Sequence, residues 1–372
     1  MFTRLKLLEL ASVLAGPSVG QFFAELGAEV IKVENPATGG DVTRSWKTAG
    51  EETDDRSAYF CSCNWGKKSV LLNLASPTDR ELAVRLAAKS DIVIASYKPG
   101  DADKLGVGYD QLRIHHPDII YGQITGYGSN DDRAGYDAVI QAESGFMDIN
   151  GDPAGPPTKM PVALIDILAA HQLKEGLLLA LLKKERTGEG SLVEVSLMDT
   201  AIASLANQAT NFLVAGKVPK RQGSAHPNIA PYGDNFTTKD GKQILLAVGS
   251  DRQFEQLLSV LGIDKTLAKL YLKNQQRVQD REGLRKLLSP AIEKSESAAL
   301  LTQLSRLKIP GGLIQNVREA LQSPQAKSLM LNAGGVRGIR GFVGSGTEGR
   351  TELSPPPHLG EHSEEILGSI RR

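Results

Sequence analysis

One acidic residue stands apart because it lies in an otherwise apolar stretch. Asp166 is the only carboxylate in residues 161–174. From residue 167 to 182 apolar side chains recur at helical spacing, which predicts a helix buried on most of its surface, with Asp166 at its N-cap. Free N–H groups and the helix dipole would keep a carboxylate ionised there. Such a carboxylate is a potential nucleophile, although aspartates cap helices far more often than they attack substrates.

A second acid and several lysines also lie at positions where ligands bind. Asp137 precedes a predicted helix at residues 138–144, which it can cap. Open α/β sheets bind ligands at the carboxyl ends of their strands, and phosphates are held there by basic side chains. Four lysines fall near such strand ends: Lys67, Lys68, Lys98 and Lys104.

Strands and helices alternate along the first half of the chain. Lys6–Leu10 and Glu29–Glu34 read as strands that flank a predicted helix at residues 18–26. This βαβ unit implies a parallel sheet with a right-handed crossover. Further strands are predicted at residues 69–73, 92–96 and 119–124, with a helix at 78–89. The pattern predicts an α/β, doubly wound, Rossmann-like domain.

A dinucleotide site fits this domain poorly. Glu34 ends the second strand, where an acid would bind a ribose, but the first turn reads Leu14-Ala15-Gly16-Pro17 instead of a glycine fingerprint. Proline has no N–H to offer a pyrophosphate. A formal G-x-G-x-x-G occurs at residues 344–349, outside any strand–helix context. In residues 39–46, Asp41 and Arg44 are spaced for a local ion pair or an anion site.

The chain of 372 residues is long enough for two domains. We predict a large α/β domain at residues 1–205. A linker at 206–228 precedes a smaller α+β domain at 229–328. Residues 329–372 are predicted to return to the large domain.

Composition excludes several classes of function. The net charge is zero and aromatic residues make up 5% of the chain, so neither nucleic acid nor an anionic membrane is an expected partner. No apolar run is long enough to span a bilayer. The cysteines Cys61 and Cys63 are too few and too close for a disulfide framework, which favours a reducing, cytoplasmic location. No cluster has metal-ligand spacing, so no metal is predicted.

Several motifs occur in one order along nearly the whole chain. They are LAGP (14–17), LGAEVIKVENP (26–36), GGDVTR (39–44), GYDAVIQAESG (135–145), VALIDILAA (162–170), HPNIAPYG (226–233) and IPGGLIQNVREAL (309–321). Together they resemble the class III CoA-transferases, typified by formyl-CoA transferase and carnitine CoA-transferase. The resemblance implies an enzyme that uses an acyl-CoA and a carboxylic acid, and an interlocked homodimer of two threaded chains.

The resemblance also implies roles for individual residues. Asp166 would attack the donor thioester to give an aspartyl anhydride and then an aspartyl-CoA thioester, which the acceptor carboxylate attacks. Asp137 would orient Asp166 or the acceptor. Coenzyme A would be bound by eight residues: Ser12, Leu14, Ala15, Asn35, Lys67, Ser96, Tyr97 and Lys104. Ser12, Asn35 and Ser96 depart from the residues common in the formyl-CoA enzyme.

Two alternatives remain. An α-methylacyl-CoA racemase, from the same superfamily, needs a histidine in the turn where this chain has Tyr136, whose phenol is a poor base near pH 7. His171, one turn into the predicted helix, is the nearby histidine that could replace it. The other alternative is a non-catalytic CoA-binding protein, against which the apolar setting of Asp166 argues.

Overall fold

The structure, a computed structural model, describes residues 2–344 and 352–371. Its strands are β1 (Lys6–Leu10), β2 (Glu29–Glu34), β3 (Lys67–Leu71), β4 (Ile92–Ala95), β5 (Ile120–Thr125), β6 (Ser191–Ser196), β7 (Tyr232–Thr237), β8 (Gln243–Ala247), β9 (Gly311–Leu313), β10 (Met330–Ala333) and β11 (Val336–Ile339). Its helices are α1 (Ala15–Glu25), α2 (Pro77–Ala87), α3 (Asp101–Lys104), α4 (Tyr109–His115), α5 (Asp137–Glu143), α6 (Phe146–Ile149), α7 (Leu164–Thr187), α8 (Leu197–Ser204), α9 (Asn207–Ala215), α10 (Asp251–Val260), α11 (Asn274–Gln279), α12 (Arg281–Ile292), α13 (Ser297–Arg306), α14 (Val317–Leu321), α15 (Pro324–Lys327) and α16 (Ser363–Arg371).

Strands β1 to β6 form one sheet in the order β3-β2-β1-β4-β5-β6. Every neighbouring pair in it is parallel. The predicted α/β class with a parallel sheet is therefore confirmed. The chain builds outward from β1 to β3 and then crosses to β4 on the other side. The carboxyl ends of β1 and β4 thus flank the point where the strand order reverses, which is where open sheets bind ligands.

Helices cover both faces of this sheet. In β1, Leu7 belongs to the core that contains α1 and α7, whereas Leu8 and Leu10 belong to the core that contains α2 and α16. Strands buried on both faces are apolar at successive positions instead of alternating ones. This explains why runs such as Ile92–Ala95 could be recognised from the sequence.

The chain divides into two compact units. Unit 1 comprises Met1–Phe146, Met160–Ala206 and Lys327–Arg372, and unit 2 comprises Met147–Lys159 and Asn207–Ala326. Unit 2 has an antiparallel sheet in the order β7-β8-β9 with its own apolar core. The predicted boundaries leave residues 147–159 in the large domain, but this segment groups with unit 2. Arg221 donates to the Asp148 carbonyl (2.7 Å), and the Gly223 N–H donates to the Gly151 carbonyl (3.0 Å).

Helix α7 is buried on one stripe only. Ile165, Leu173 and Leu177 are inaccessible, but Leu179 is 67% exposed. The prediction that the helix is buried on most of its surface is therefore wrong for the described chain, because the sheet covers one side and no described segment covers the other. In the described ranges no helix, α7 included, is long and apolar enough to cross a membrane.

Candidate active site

The turn between β1 and α1 brings the backbone close to the ends of the strands. Helix α1 begins at Ala15, three residues before the predicted start, and takes Pro17 into its first turn, where a missing N–H leaves no unmade helical bond. A Cβ at Gly16 would lie 2.3 Å from the Ala11 Cβ, so glycine is required there. Val13 has a φ of +71°, a left-handed conformation that is unfavourable for a β-branched residue.

Buried charges hold this turn in place. The Lys32 ammonium binds Asp41 Oδ2 (2.8 Å), Glu9 Oε1 (3.0 Å) and the Ala11 carbonyl (2.7 Å). Asp41 Oδ1 in turn accepts the Val13 N–H at 3.3 Å. Burial alone would lower the pKa of Lys32, but the charges of Glu9 and Asp41 outweigh burial and raise it. The strained turn is thus held by a network of buried ion pairs beneath it.

Asp166 lies inside the first turn of α7, not at its N-cap as predicted. The helix begins at Leu164 with Ala163 as N-cap, so Asp166 is its third residue. The capping acceptor comes from another helix: Asp137 Oδ1 accepts the Ile165 N–H at 2.8 Å. Asp137 Oδ2 accepts from the Gln141 side chain at 2.7 Å. Asp137 is the first residue of α5, with Tyr136 as N-cap, so it caps α7 instead of its own helix.

The prediction that the helix N-terminus keeps Asp166 ionised is also wrong, because the pKa of this carboxyl group is raised and not lowered. The side chain is 8% exposed, and no described residue donates a hydrogen bond to its carboxylate. Burial, together with the negative charge of Asp137, raises the pKa of Asp166 to about 7. The carboxyl group therefore holds its proton to higher pH than an ordinary aspartate does. A basic carboxylate without hydrogen-bond donors is more nucleophilic than a capped one.

Asp166 faces a groove made of two adjoining cavities. The first, of about 320 Å³, is called here the carboxylate cavity; it contains Asp166 and Asp137 and has aromatic walls. The second, of about 370 Å³, is called the Asn35 cavity. Residues that line both cavities join them: Ser12, Ser96 and Tyr97. The groove therefore runs along the carboxyl ends of β1 and β4, beside a buried carboxylate.

Comparison with known proteins assigns this arrangement to a family. The family model of CoA-transferase family III matches residues 3–363. The chain belongs to CoA-transferase family III. It is 38% identical to a succinate–glutarate CoA-transferase of Agrobacterium fabrum (98% of this chain, 94% of the relative) and 34% identical to the human succinyl-CoA:glutarate CoA-transferase (99% and 85%). A CaiB/BaiF family crystal structure from Brucella suis superposes with a TM-score of 0.86 at 38% identity, covering 99% of this chain and 98% of that one.

The family assignment confirms the predicted resemblance and the predicted class of enzyme, a CoA-transferase. The structure brings most of the predicted CoA residues together. Five line the carboxylate cavity: Ser12, Leu14, Ala15, Ser96 and Tyr97. Asn35 lines the Asn35 cavity.

The two predicted lysines do not line either cavity. Lys67 is fully buried, and its ammonium binds Glu9 (2.8 Å), the Pro17 carbonyl (2.8 Å) and Asn64 (2.9 Å). This placement argues against a contact between Lys67 and a phosphate, because all three N–H donors of its ammonium face partners inside the protein. Lys104 is exposed and pairs with Asp101 at 2.8 Å. Lys98, which also follows β4, lines the carboxylate cavity instead.

Two aromatic residues near Asp166 were missed in the sequence. Trp46 lines the carboxylate cavity, and its ring packs edge-on against Tyr59 with centroids 5.3 Å apart. Burial and the charge of Asp166 raise the pKa of Tyr59 to about 12. Trp46 lies two residues after the GGDVTR motif, but no local pattern shows which way such a side chain faces.

The other chemistry considered for the sequence is not assembled in the structure. The Glu34 carboxylate is bound by Arg44 (2.6 and 2.7 Å) and Ser69 (2.6 Å), so it is not open to a ribose, and the expected Asp41–Arg44 pair is wrong. For the racemase, Tyr136 lines the cavity that contains Asp166 where a histidine is needed, and His171 lines a neighbouring cavity. The G-x-G-x-x-G at 344–349 lies, beyond its first residue, outside the described residues.

One group of potential metal ligands is brought together by residues distant in sequence. Asp54, Asp55 and His358 lie within reach of a common point. Each acid already has a protein partner: Arg56 binds Asp54, and His358 binds Asp55. These contacts explain the group, and the prediction of no metal stays a prediction.

The paired carboxylates predict a pH effect. Asp137→Asn keeps an oxygen to accept the Ile165 N–H but removes the charge that raises the pKa of Asp166. On the prediction that ionised Asp166 is the nucleophile, wild-type kcat/KM should fall as pH drops below about 7. In the variant this fall should move to lower pH by about one unit. A pH–rate profile checks this, and an unshifted profile with intact folding would contradict it.

Proposed function

We propose that the chain moves CoA from an acyl-CoA donor to a carboxylic acid through covalent intermediates on Asp166. The supporting observation is a buried carboxylate, without a hydrogen-bond donor, that faces a groove. Ionised Asp166 attacks the thioester carbonyl, and the C–S bond breaks to give an aspartyl anhydride and CoA thiolate. The thiolate attacks the aspartyl carbonyl, which forms an aspartyl-CoA thioester and releases the donor acid.

The second half of the reaction reverses these steps with a new acid. The acceptor carboxylate attacks the aspartyl-CoA carbonyl and expels the thiolate. The thiolate then attacks the acceptor carbonyl of the second anhydride, which gives the new acyl-CoA and free Asp166. Each anhydride is sensitive to water, so burial of Asp166 supports this route as well as raising its basicity.

CoA is proposed to lie along the groove, with its thioester at Asp166. Ser12, Leu14 and Ala15 would contact the pantetheine arm and adenine, because they line the cavity that contains Asp166. Ser96 and Tyr97 border both cavities and would contact the nucleotide. Three further residues are proposed at the nucleotide and its phosphates, with Lys98 taking the place expected of Lys67: Asn35, Lys98 and Lys104.

The substrates are proposed to be short dicarboxylic acids. The relatives named above are a succinate–glutarate and a succinyl-CoA:glutarate CoA-transferase. We therefore expect succinyl-CoA as a donor and glutarate as an acceptor. The first half-reaction releases the free carboxylate of the donor acid, and the second consumes the free carboxylate of the acceptor acid.

The decisive experiment follows CoA and protein mass together. Wild-type protein with succinyl-CoA and glutarate should form glutaryl-CoA, and a peptide that contains Asp166 should carry a transient CoA adduct. A racemase would exchange only the α-proton of the acyl group, and a non-catalytic CoA-binding protein would produce neither change. Steady turnover with the adduct on another residue would contradict the role of Asp166.

A Rossmann-like fold, a cytoplasmic location and an interlocked homodimer are proposed alongside. The strand order supports the first, and the buried free thiols of Cys61 and Cys63 are consistent with the second. Apolar side chains exposed within each unit support the third, such as Leu179 in unit 1 and Val214, 85% exposed, in unit 2. Sedimentation of the full chain at the mass of one chain would contradict a dimer.

A further inference from the structure

A further cavity lies across Leu14 from the groove. Its volume is about 510 Å³, and it is called here the lysine cavity. Four of its residues follow one stripe of α7 at positions i, i+3, i+4 and i+7: Ile167, Ala170, His171 and Lys174. Most of the surrounding wall is apolar, including Leu14 and Val162. The basic side chains of its lining are Lys174, His171 and Arg340. A mostly apolar cavity with a few basic side chains suits a ligand with an apolar body and an anionic end.

Lys174 has no oppositely charged partner within ion-pair distance in the described chain. Its ammonium lies 5.5 Å from the ring centroid of Phe22 and is partly buried. Burial lowers the pKa of Lys174 to about 8, and the charge of Glu25 opposes this shift. Glu25 itself accepts the Gly341 N–H (2.7 Å) and the Phe342 N–H (3.1 Å). The amine is therefore mostly protonated at neutral pH, and it can bind an incoming anion.

The lysine cavity is close to Asp166. Leu14 lines both the lysine cavity and the carboxylate cavity. Tyr59, which lines the lysine cavity, has its pKa raised in part by the charges of Asp166 and Asp137. Lys174 is eight positions after Asp166 in α7, and eight steps of the helix correspond to about 12 Å. A lysine side chain leans back toward the helix N-terminus and spans part of that distance.

We propose that the lysine cavity binds the distal carboxylate of a dicarboxylic substrate and that Lys174 determines this specificity. The inference rests on the proposed function, because the other carboxylate must reach Asp166. The methylene chain would lie against Leu14 and Ile167, and the far carboxylate would pair with the Lys174 ammonium. A monocarboxylic acid such as butyrate, which lacks the far carboxylate, would leave the Lys174 ammonium without this partner.

The test compares glutarate with butyrate as acceptors in Lys174→Met. In a ping-pong reaction, kcat/KM for the acceptor reports only the second half-reaction, so succinyl-CoA can serve as the donor throughout. For glutarate, kcat/KM should fall about 10- to 100-fold, and for butyrate it should change less than about threefold. Lys174→Arg, which keeps the charge, should recover most of the loss.

Other outcomes separate this inference from the proposed function. Equal losses for both acids, or no loss for glutarate, would overturn the role of Lys174 while CoA transfer stands. Absence of any exchange or adduct in the wild type would instead overturn the proposed function. If the wild type shows no exchange, the lysine cavity can still be tested by calorimetry of glutarate binding to the wild type and to Lys174→Met. Equal affinities would overturn the proposed role of Lys174.

Discussion

Asp166→Asn should lower CoA exchange by roughly 10⁴-fold or more, because the variant loses the carboxylate oxygen that is proposed to attack the thioester carbonyl. The amide of asparagine is not nucleophilic enough to open a thioester, and the shape of the site is kept. CoA affinity should change little, since all the other residues that line the groove are unchanged. Exchange from succinyl-CoA to glutarate, CoA binding and the mass of the incubated protein measure the three parts of this result.

The same substitution should raise stability at alkaline pH. The folded pKa of Asp166 is about 7, above its ordinary value of 3.8. The unfolded chain therefore releases this proton first, and wild-type stability declines as pH rises from about 4 to about 7. Asp166→Asn removes that decline, so the denaturation midpoint of the variant should exceed that of the wild type at pH 8 and approach it at pH 4.

A matched control separates charge from position. Asp110→Asn alters an exposed aspartate in the first turn of α4 that does not line the groove. Neither its exchange rate nor its stability should change by more than a small factor. If Asp166→Asn exchanged CoA at the wild-type rate, another residue would have to carry the covalent step.

The parts of this molecule that could be predicted are those in which local pattern and tertiary environment agree. Strand β4 is a run of apolar residues because helices cover both faces of the sheet. Asp166 was recognisable because a lone acid in an apolar segment has no local structural partner. The ordered motifs then identified the family, which no single motif could do.

The parts that were missed depend on contacts between residues distant in sequence. Asp137 caps α7 from 28 residues away, so the sequence around Asp166 could not show why its helix begins at Leu164. Lys67 reads as a surface lysine after a glycine turn, yet it reaches Glu9 through the core. The residue type alone does not show whether a lysine is exposed or buried. For Lys67 the buried partner is Glu9 on β1, two strands away in the sheet.

Lys32→Met should destabilise the fold by about 3–5 kcal/mol. The ammonium is buried between Glu9 and Asp41, and methionine keeps its length without its charge. Glu9 would still be paired with Lys67, so the uncompensated charge falls on Asp41. The Val13 turn should also loosen, because Asp41 holds its N–H, and the KM for acyl-CoA should rise. Denaturant unfolding and steady-state kinetics measure the two effects.

Lys68→Met is the matched control for this change. Lys68 follows Lys67 directly and pairs with Glu29 at 2.8 Å, but both side chains are partly exposed. Exposed pairs contribute little, so the loss should stay below about 1 kcal/mol. A similar loss in both lysine variants would show that side-chain packing, and not the buried charge, accounts for the effect of Lys32→Met.

Because Asp41 is buried, we predict two further properties of Lys32→Met. In the wild type, burial would raise the pKa of Asp41, but the charge of Lys32 outweighs burial and lowers it. Without Lys32 the pKa of Asp41 should rise, so the variant recovers stability when pH falls and Asp41 takes up a proton. Adding Asp41→Asn should recover part of the loss at neutral pH for the same reason. If the stability loss of Lys32→Met did not depend on pH, and if the losses of Lys32→Met and Asp41→Asn simply added in the double variant, the Lys32–Asp41 ion pair would not be its cause.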